Sequence, residues 1–156
     1  MLKASKELNC QLDFLAYCLM PNHFHFLVYT KPEFEPVKFS NGMRTLLSSY
    51  TRAVLKQEHF TGSLFQQNTK FKELVDDSYS HNCFRYIHQN PLKAKLVSRI
   101  EDWPHHSFNE YIGTVKGFCN TELAGEILTI PADRDHFYKE SYNAIDEQSI
   151  LELLKQ

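Results

Sequence analysis

Two short strings in this sequence have the residue types and spacing for chemistry at a phosphate. His23-Phe24-His25 sets two imidazoles two residues apart in a run of β-formers, HFHFLVY. Strand side chains alternate between faces, so both imidazoles project from one face and Phe24 from the other. Two neutral imidazoles one pleat apart can share a divalent cation. They can equally be one surface histidine and one hydrogen-bonded core histidine, and a bare His-x-His does not choose between these. Pro21-Asn22, directly before, is a turn signal that puts both histidines at the start of a strand beside a loop.

The second string holds Tyr86 and Asn90. On a helix a spacing of four puts both on one face, one turn apart. A phenol can attack a phosphodiester if a base or a cation-polarised site helps remove its proton. The covalent phosphotyrosine that results conserves the bond energy for rejoining. The Asn90 carbonyl oxygen suits a hard cation as a third ligand. The local sequence fits a plainer reading too, with Tyr86 a core aromatic beside Phe84 and Ile87 and Asn90 a C-cap before Pro91. Arg85, Lys93, Lys95 and Arg99 crowd the same helix end and can neutralise a phosphate backbone. His88 faces away from Tyr86 on a helix and reads as a surface or capping residue. Trp103, His105 and His106 can stack on a nucleotide, although a Trp before a Pro more often anchors a chain reversal.

These residues need a frame. Residues 12–19 (LDFLAYCL) and 23–29 (HFHFLVY) read as strands, and so short a turn makes them an antiparallel hairpin. Residues 2–9 read as the end of a helix. Ser40-Asn41 can cap a helix running to about residue 59, with Met43, Leu46, Leu47, Tyr50, Val54 and Leu55 as its apolar stripe. Residues 71–75 read as a short strand. Asp77-Ser78 is the N-cap signal for a helix through about Asn90, which Pro91 helps to end. A turn or short helix over 92–97, a helix near 107–112, a Gly-flanked loop, and helices near 133–142 and 146–154 complete the pattern. The class is α+β, with helices against a small antiparallel sheet.

Composition bounds the partners. A chain of 156 residues with 42% hydrophobic and 13% aromatic residues is a globular domain, not a disordered one. No stretch approaches the ~20 apolar residues that span a bilayer, and the expected location is cytoplasmic, at the nucleoid. Cys10, Cys18, Cys83 and Cys119 are scattered without a C-x-x-C pair, which reads as reduced thiols and argues against a four-Cys zinc site. The net charge of −2 hides an asymmetry. Residues 1–40 are neutral, residues 41–100 carry nine Lys/Arg against four acids, and residues 101–156 carry four against eleven. A basic middle fits a polyanion partner, and it fits chance clustering of solvated charge equally well.

Taken together, four strings resemble the single-tyrosine transposases of insertion sequences, of the His-hydrophobe-His (HUH) type, and more closely the REP-associated tyrosine transposases. They are AYCLMPNHFHFLV (16–28), SLFQQNTKFKELVDD (63–77), FRYIHQNPLKAKLV (84–97) and EDWPHHSFNEYIG (101–113). The resemblance covers roughly residues 1–115, read as the catalytic domain, with 116–156 a helical C-terminal extension of the same domain. It implies a ferredoxin-like antiparallel sheet with helices packed on it. It also implies a Mg2+ or Mn2+ site built by His23 and His25 with Asn90, and Tyr86 as nucleophile on single-stranded DNA beside a hairpin or palindrome. The implied product is a 5′-phosphotyrosine, and monomer and homodimer both remain open. Relatives carry a strand ahead of the residues matched by Met1, so the expected fold lacks that first strand. The alternative is therefore a truncated or domesticated relative that binds hairpin DNA without cutting it. A histidine-triad hydrolase fits poorly, because position 27 is Leu where a third alternating His is wanted.

Overall fold

The hairpin forms where the alternating apolar runs meet the Pro21-Asn22 turn. In the computed structural model, which describes residues 11–59, 61–65, 69–74, 76–146 and 148–150, β1 (Leu12–Leu19) pairs antiparallel with β2 (Phe24–Thr30). The Met20 N–H donates to the His23 carbonyl across the turn (2.8 Å). The outer edge of β1 is not left bare. Leu19 N–H donates to the His105 carbonyl, Ser107 N–H to the Tyr17 carbonyl and Asn120 N–H to the Phe14 carbonyl, with a bridge between Cys18 and His106. Such cover removes the template for edge-to-edge pairing.

Among the described residues the named helices are α1 (Pro36–Glu58), α2 (Asp77–Lys93), α3 (Phe108–Tyr111), α4 (Thr121–Ile127) and α5 (Arg134–Ser141), with a 3₁₀ turn at Ile100–Asp102 between α2 and α3. The chain divides into two units, residues 1–13 with 30–71 and residues 14–29 with 72–156. In the first unit, Lys31 pairs with Asp13 at 3.4 Å, and Phe39 and Met43 form the buried side of α1. In the second, Leu15, Ala16, Cys18 and Leu27 of the hairpin pack with Phe84 and Ile87 of α2, Ile100, Phe108, Ala124, Leu128 and Phe137. The buried face of α2 is Phe84, Ile87, His88 and Pro91, at the i, i+3, i+4, i+7 spacing of a helix lying on a core.

The α+β class holds, with a two-stranded antiparallel sheet and helices packed on it. Several local expectations do not. Residues 71–74 form no strand; the chain there is irregular, and Val75 lies outside the described residues, as do residues 2–9 and 151–154. α1 begins earlier than Ser40, because Pro36 fits a first helical turn, where its missing N–H would have no partner anyway. Asp76, not Asp77 or Ser78, caps α2, accepting from the Tyr79 N–H (3.0 Å). The Gly-flanked loop contains α4, which the Asn120 side chain starts by accepting from the Leu123 N–H (3.1 Å). His88 is neither a surface nor a capping residue. It is fully buried, with Nε2 hydrogen-bonded to Ser107 Oγ at 2.8 Å.

Pro91 does not end α2. Placed in the last turn, it interrupts little of the ladder, and the helix continues to Lys93. The stop is made further on: Lys95 N–H donates to the Leu92 carbonyl and Leu96 N–H to the Pro91 carbonyl. This is the paired closure in which the residue after the C-cap takes a left-handed backbone, and Lys95 does so at φ 57°. A lysine there carries a Cβ penalty that glycine lacks. Lys95→Gly is expected to raise stability by roughly 0.5–1 kcal/mol, read as a higher urea midpoint with an unchanged slope.

Candidate active site

The core packing of α2 decides what Tyr86 can reach. Because Phe84 and Ile87 point into the hairpin, Tyr86 sits at the edge of that contact, half-buried. Its ring meets the His25 ring edge-on, with centroids 5.8 Å apart. His25 in turn meets His23 edge-on at 4.9 Å. The three side chains thus form a row from the start of β2 to α2.

Each ring is held in a defined state. Asn22 Oδ1 faces His23 Nδ1 at 2.6 Å. A carbonyl oxygen only accepts, so Nδ1 carries the proton and Nε2 keeps its lone pair. His25 Nε2 is buried and has no hydrogen-bond partner. Burial, with a smaller contribution from His23, pushes the His25 imidazole down to about 4, so the ring is neutral near pH 7. Burial raises the Tyr86 phenol, a hydrogen-bonding contact with Asn90 partly opposes this, and Cys83 adds to the rise. The hydroxyl is therefore protonated at rest.

The pair of rings also meets a test for holding a cation. Metal–nitrogen bonds of ~2.1 Å at angles between octahedral and tetrahedral put two imidazole centroids roughly 4.6–5.3 Å apart, and the observed separation of 4.9 Å lies inside that range. An unpartnered, desolvated ring nitrogen on His25 fits the same role. Among the described residues no group of three or more His, Cys, Asp or Glu gathers anywhere. Further ligands would come from Asn90, substrate or water. Asn90 does not cap the helix; its Nδ2 donates back to the Tyr86 carbonyl at 2.9 Å, so Oδ1 is the atom it could offer to a cation.

The basic residues separate. Lys93 Nζ lies over the Tyr86 ring, 5.4 Å from its centroid, and burial followed by Arg85 lowers its pKa. Arg85 turns away from the row, donating to the Asn143 carbonyl, and burial lowers its pKa against the pull of Glu140. Arg99 pairs with Glu101 through Nε (2.7 Å) and Nη2. Lys95 is exposed at the helix stop. Trp103 is the packing anchor, its indole N–H donating to the Leu19 carbonyl (3.0 Å). His106 is buried and donates from Nε2 to the Ile100 carbonyl (2.7 Å), while His105 is exposed at the edge of the Trp103 ring. The residue that sequence reasoning missed is Asn22. It read only as half of a turn, and its place beside His23 was the one available signal.

The sequence model described as "Transposase IS200 like" matches residues 2–90, more than half of the chain. The chain belongs to the IS200-like transposase family. Two curated relatives agree. One, from Haemophilus influenzae and provisionally named a REP-associated tyrosine transposase, is 28% identical over 61% of this chain and 58% of its own length. The other, the REP-associated tyrosine transposase of Escherichia coli K12, is 25% identical over 75% of this chain and 66% of its own length. The chain thus spans less than two thirds of either relative. No solved structure gives a significant match. The IS200-like match contains His23, His25, Tyr86 and Asn90, and no helix among the described residues is long and apolar enough to cross a membrane.

Asn22→Ala removes the acceptor that fixes the His23 tautomer. Imidazole 15N shifts of the neutral ring should show the Nδ1-protonated form dominant in the native chain and the Nε2-protonated form dominant in the variant. An Nε2-protonated ring in the native chain would contradict the assignment.

Proposed function

We propose that this IS200-like transposase cuts and rejoins single-stranded DNA next to hairpin elements, with Tyr86 as nucleophile and His23 and His25 as ligands for Mg2+ or Mn2+. The observation that carries the reading is the edge contact between the His25 imidazole and the Tyr86 ring. It lets one phosphodiester touch both groups.

A cation bound there would withdraw charge from the scissile phosphate and orient it for in-line attack. The chain's own residues do the rest. The Tyr86 oxygen attacks phosphorus as its proton leaves, a Tyr–O–P bond forms, and the bond to the 3′ oxygen breaks. That oxygen takes up a proton and leaves as a free 3′-OH, while the 5′-phosphate remains on Tyr86. An incoming 3′-OH reverses the exchange and returns the proton to the phenol, so one phosphoester replaces another and no outside energy source enters. Asn90 steadies the phenol through the contact that opposes its raised pKa. Lys93, above the same ring, supplies a positive charge for the phosphate. Arg85 and Arg99, tied to Asn143 and Glu101, act in the fold rather than on DNA in this reading.

The second reading, a hairpin-binding protein without cleavage, draws on the raised pKa of Tyr86, which makes the nucleophile harder to generate. A single experiment separates the two. Incubated with Mn2+ and a 3′-labelled hairpin-flanked single strand, the native chain should form an adduct stable in SDS, and Tyr86→Phe should lower its yield at least ~10³-fold. Binding without any adduct would favour the second reading. An adduct that persists in Tyr86→Phe would remove Tyr86 from the chemistry.

A further inference from the structure

The first unit contains a cleft of about 580 Å³ lined by one face of α1 and by Gly62, Ser63, Phe65, Thr69 and Phe71. Its α1 wall is built by a helical repeat. Met43, Leu47 and Leu55 supply its apolar side, and Arg44, Ser48 and Arg52 follow one another at intervals of four, with Thr51 beside them. No Asp or Glu is among the described residues that line the cleft. Lys38 on the same helix is paired with Glu35, but among the described residues no carboxylate pairs with Arg44 or Arg52. Phe71 also lines the cleft; its ring meets Phe39 edge-on and is 62% exposed.

We propose that this cleft binds a short stretch of single-stranded DNA, with phosphates on Arg44 and Arg52 and a base stacked on Phe71. Three features support that occupant. The arginines are separated by eight residues, about 12 Å along a helix, which spans more than one phosphate of an extended strand. Two hydroxyls, on Ser48 and Thr51, can donate to phosphate oxygens between them. An exposed phenyl ring beside unpaired guanidinium groups is the pairing that holds unstacked bases without reading their sequence. The volume falls within the range of small-ligand sites and would take a nucleotide rather than a folded partner. This site rests on the reading of single-stranded DNA as the substrate, and assigns part of its grip to residues outside the histidine–tyrosine row.

The test measures binding of a fluorescent oligothymidylate to the full chain by anisotropy, across a salt series, in a Tyr86→Phe background that prevents cutting. Changing both Arg44→Ala and Arg52→Ala should weaken binding about 10- to 100-fold at low salt and flatten the log–log salt slope by about 1.4. Arg44→Lys with Arg52→Lys should keep the slope, because it keeps the charges. Phe71→Ala should weaken binding about tenfold and leave the slope unchanged. Three results overturn the site: no oligothymidylate binding by the parent, an alanine pair that binds like the parent, or a lysine pair that fails as badly as the alanine pair. A change in oligomeric state with unchanged DNA binding would instead make the cleft a protein interface. Adduct formation by the chain with Tyr86 intact is scored separately. Its absence, with arginine-dependent binding retained, would overturn the proposed activity and leave the cleft standing.

Discussion

The seating of α2 against the hairpin is the constraint on which the site depends. Phe84, Ile87, His88 and Pro91 fix the rotation of the helix about its own axis, and each is buried. Once that rotation is set, Tyr86 has one direction to point, toward the side of β2 that carries His25. The polar members of the face make the seating specific. His88 meets Ser107, and the Ser107 hydroxyl also accepts from the Tyr17 N–H of β1 (3.0 Å). A half-turn slip of α2 would strand both groups without partners, at a desolvation penalty of about 1–3 kcal/mol each. Gln89 adds a second tie, donating to the Ser141 and Asn143 carbonyls.

The same packing sets the protonation of the row. Desolvation lowers the His25 imidazole and raises the Tyr86 phenol, so it drives both toward their neutral forms. A neutral imidazole is a ligand and a neutral phenol is a stored nucleophile. Neither group is reactive alone, and a charged phosphate entering beside them changes the balance for both. Glu101, on the 3₁₀ turn after α2, shows the opposite outcome. Burial disfavours its charge, yet hydrogen bonds from Tyr138 and Tyr142, its own backbone N–H and Arg99 draw the carboxyl down to about 2. It stays ionised and ties Arg99 to the fold.

Much of this was legible in the sequence for physical reasons that can be named. The hairpin was legible because alternation and a Pro-Asn turn agree, and α2 because an Asp-Ser cap signal marks its start to within a residue. The adjacency of His25 and Tyr86 was not visible from either string, since residues 61 positions apart meet only through tertiary packing. It followed from the resemblance to a family, and the coordinates supply its cause. The irregular course of residues 71–74 was missed because β-forming residues there find no partner strand among the described residues. His88 was misjudged because a histidine on the buried side of a helix needs a polar partner, and Ser107 comes from a segment that pairs with β1 nineteen residues later. Asn22 was legible as a turn but not as the residue that orients an imidazole, because that role exists only once the turn is closed.

In the proposed function, His23, His25 and Tyr86 surround one cation-binding point. Paramagnetic broadening by substoichiometric Mn2+ tests it directly, since broadening falls steeply with distance from the ion. The ring resonances of His23, His25 and Tyr86 are expected to broaden first and together, while those of His81 and Tyr111 stay sharp. Broadening centred elsewhere, or a Tyr86 ring that stays sharp while the two histidines vanish, would contradict it.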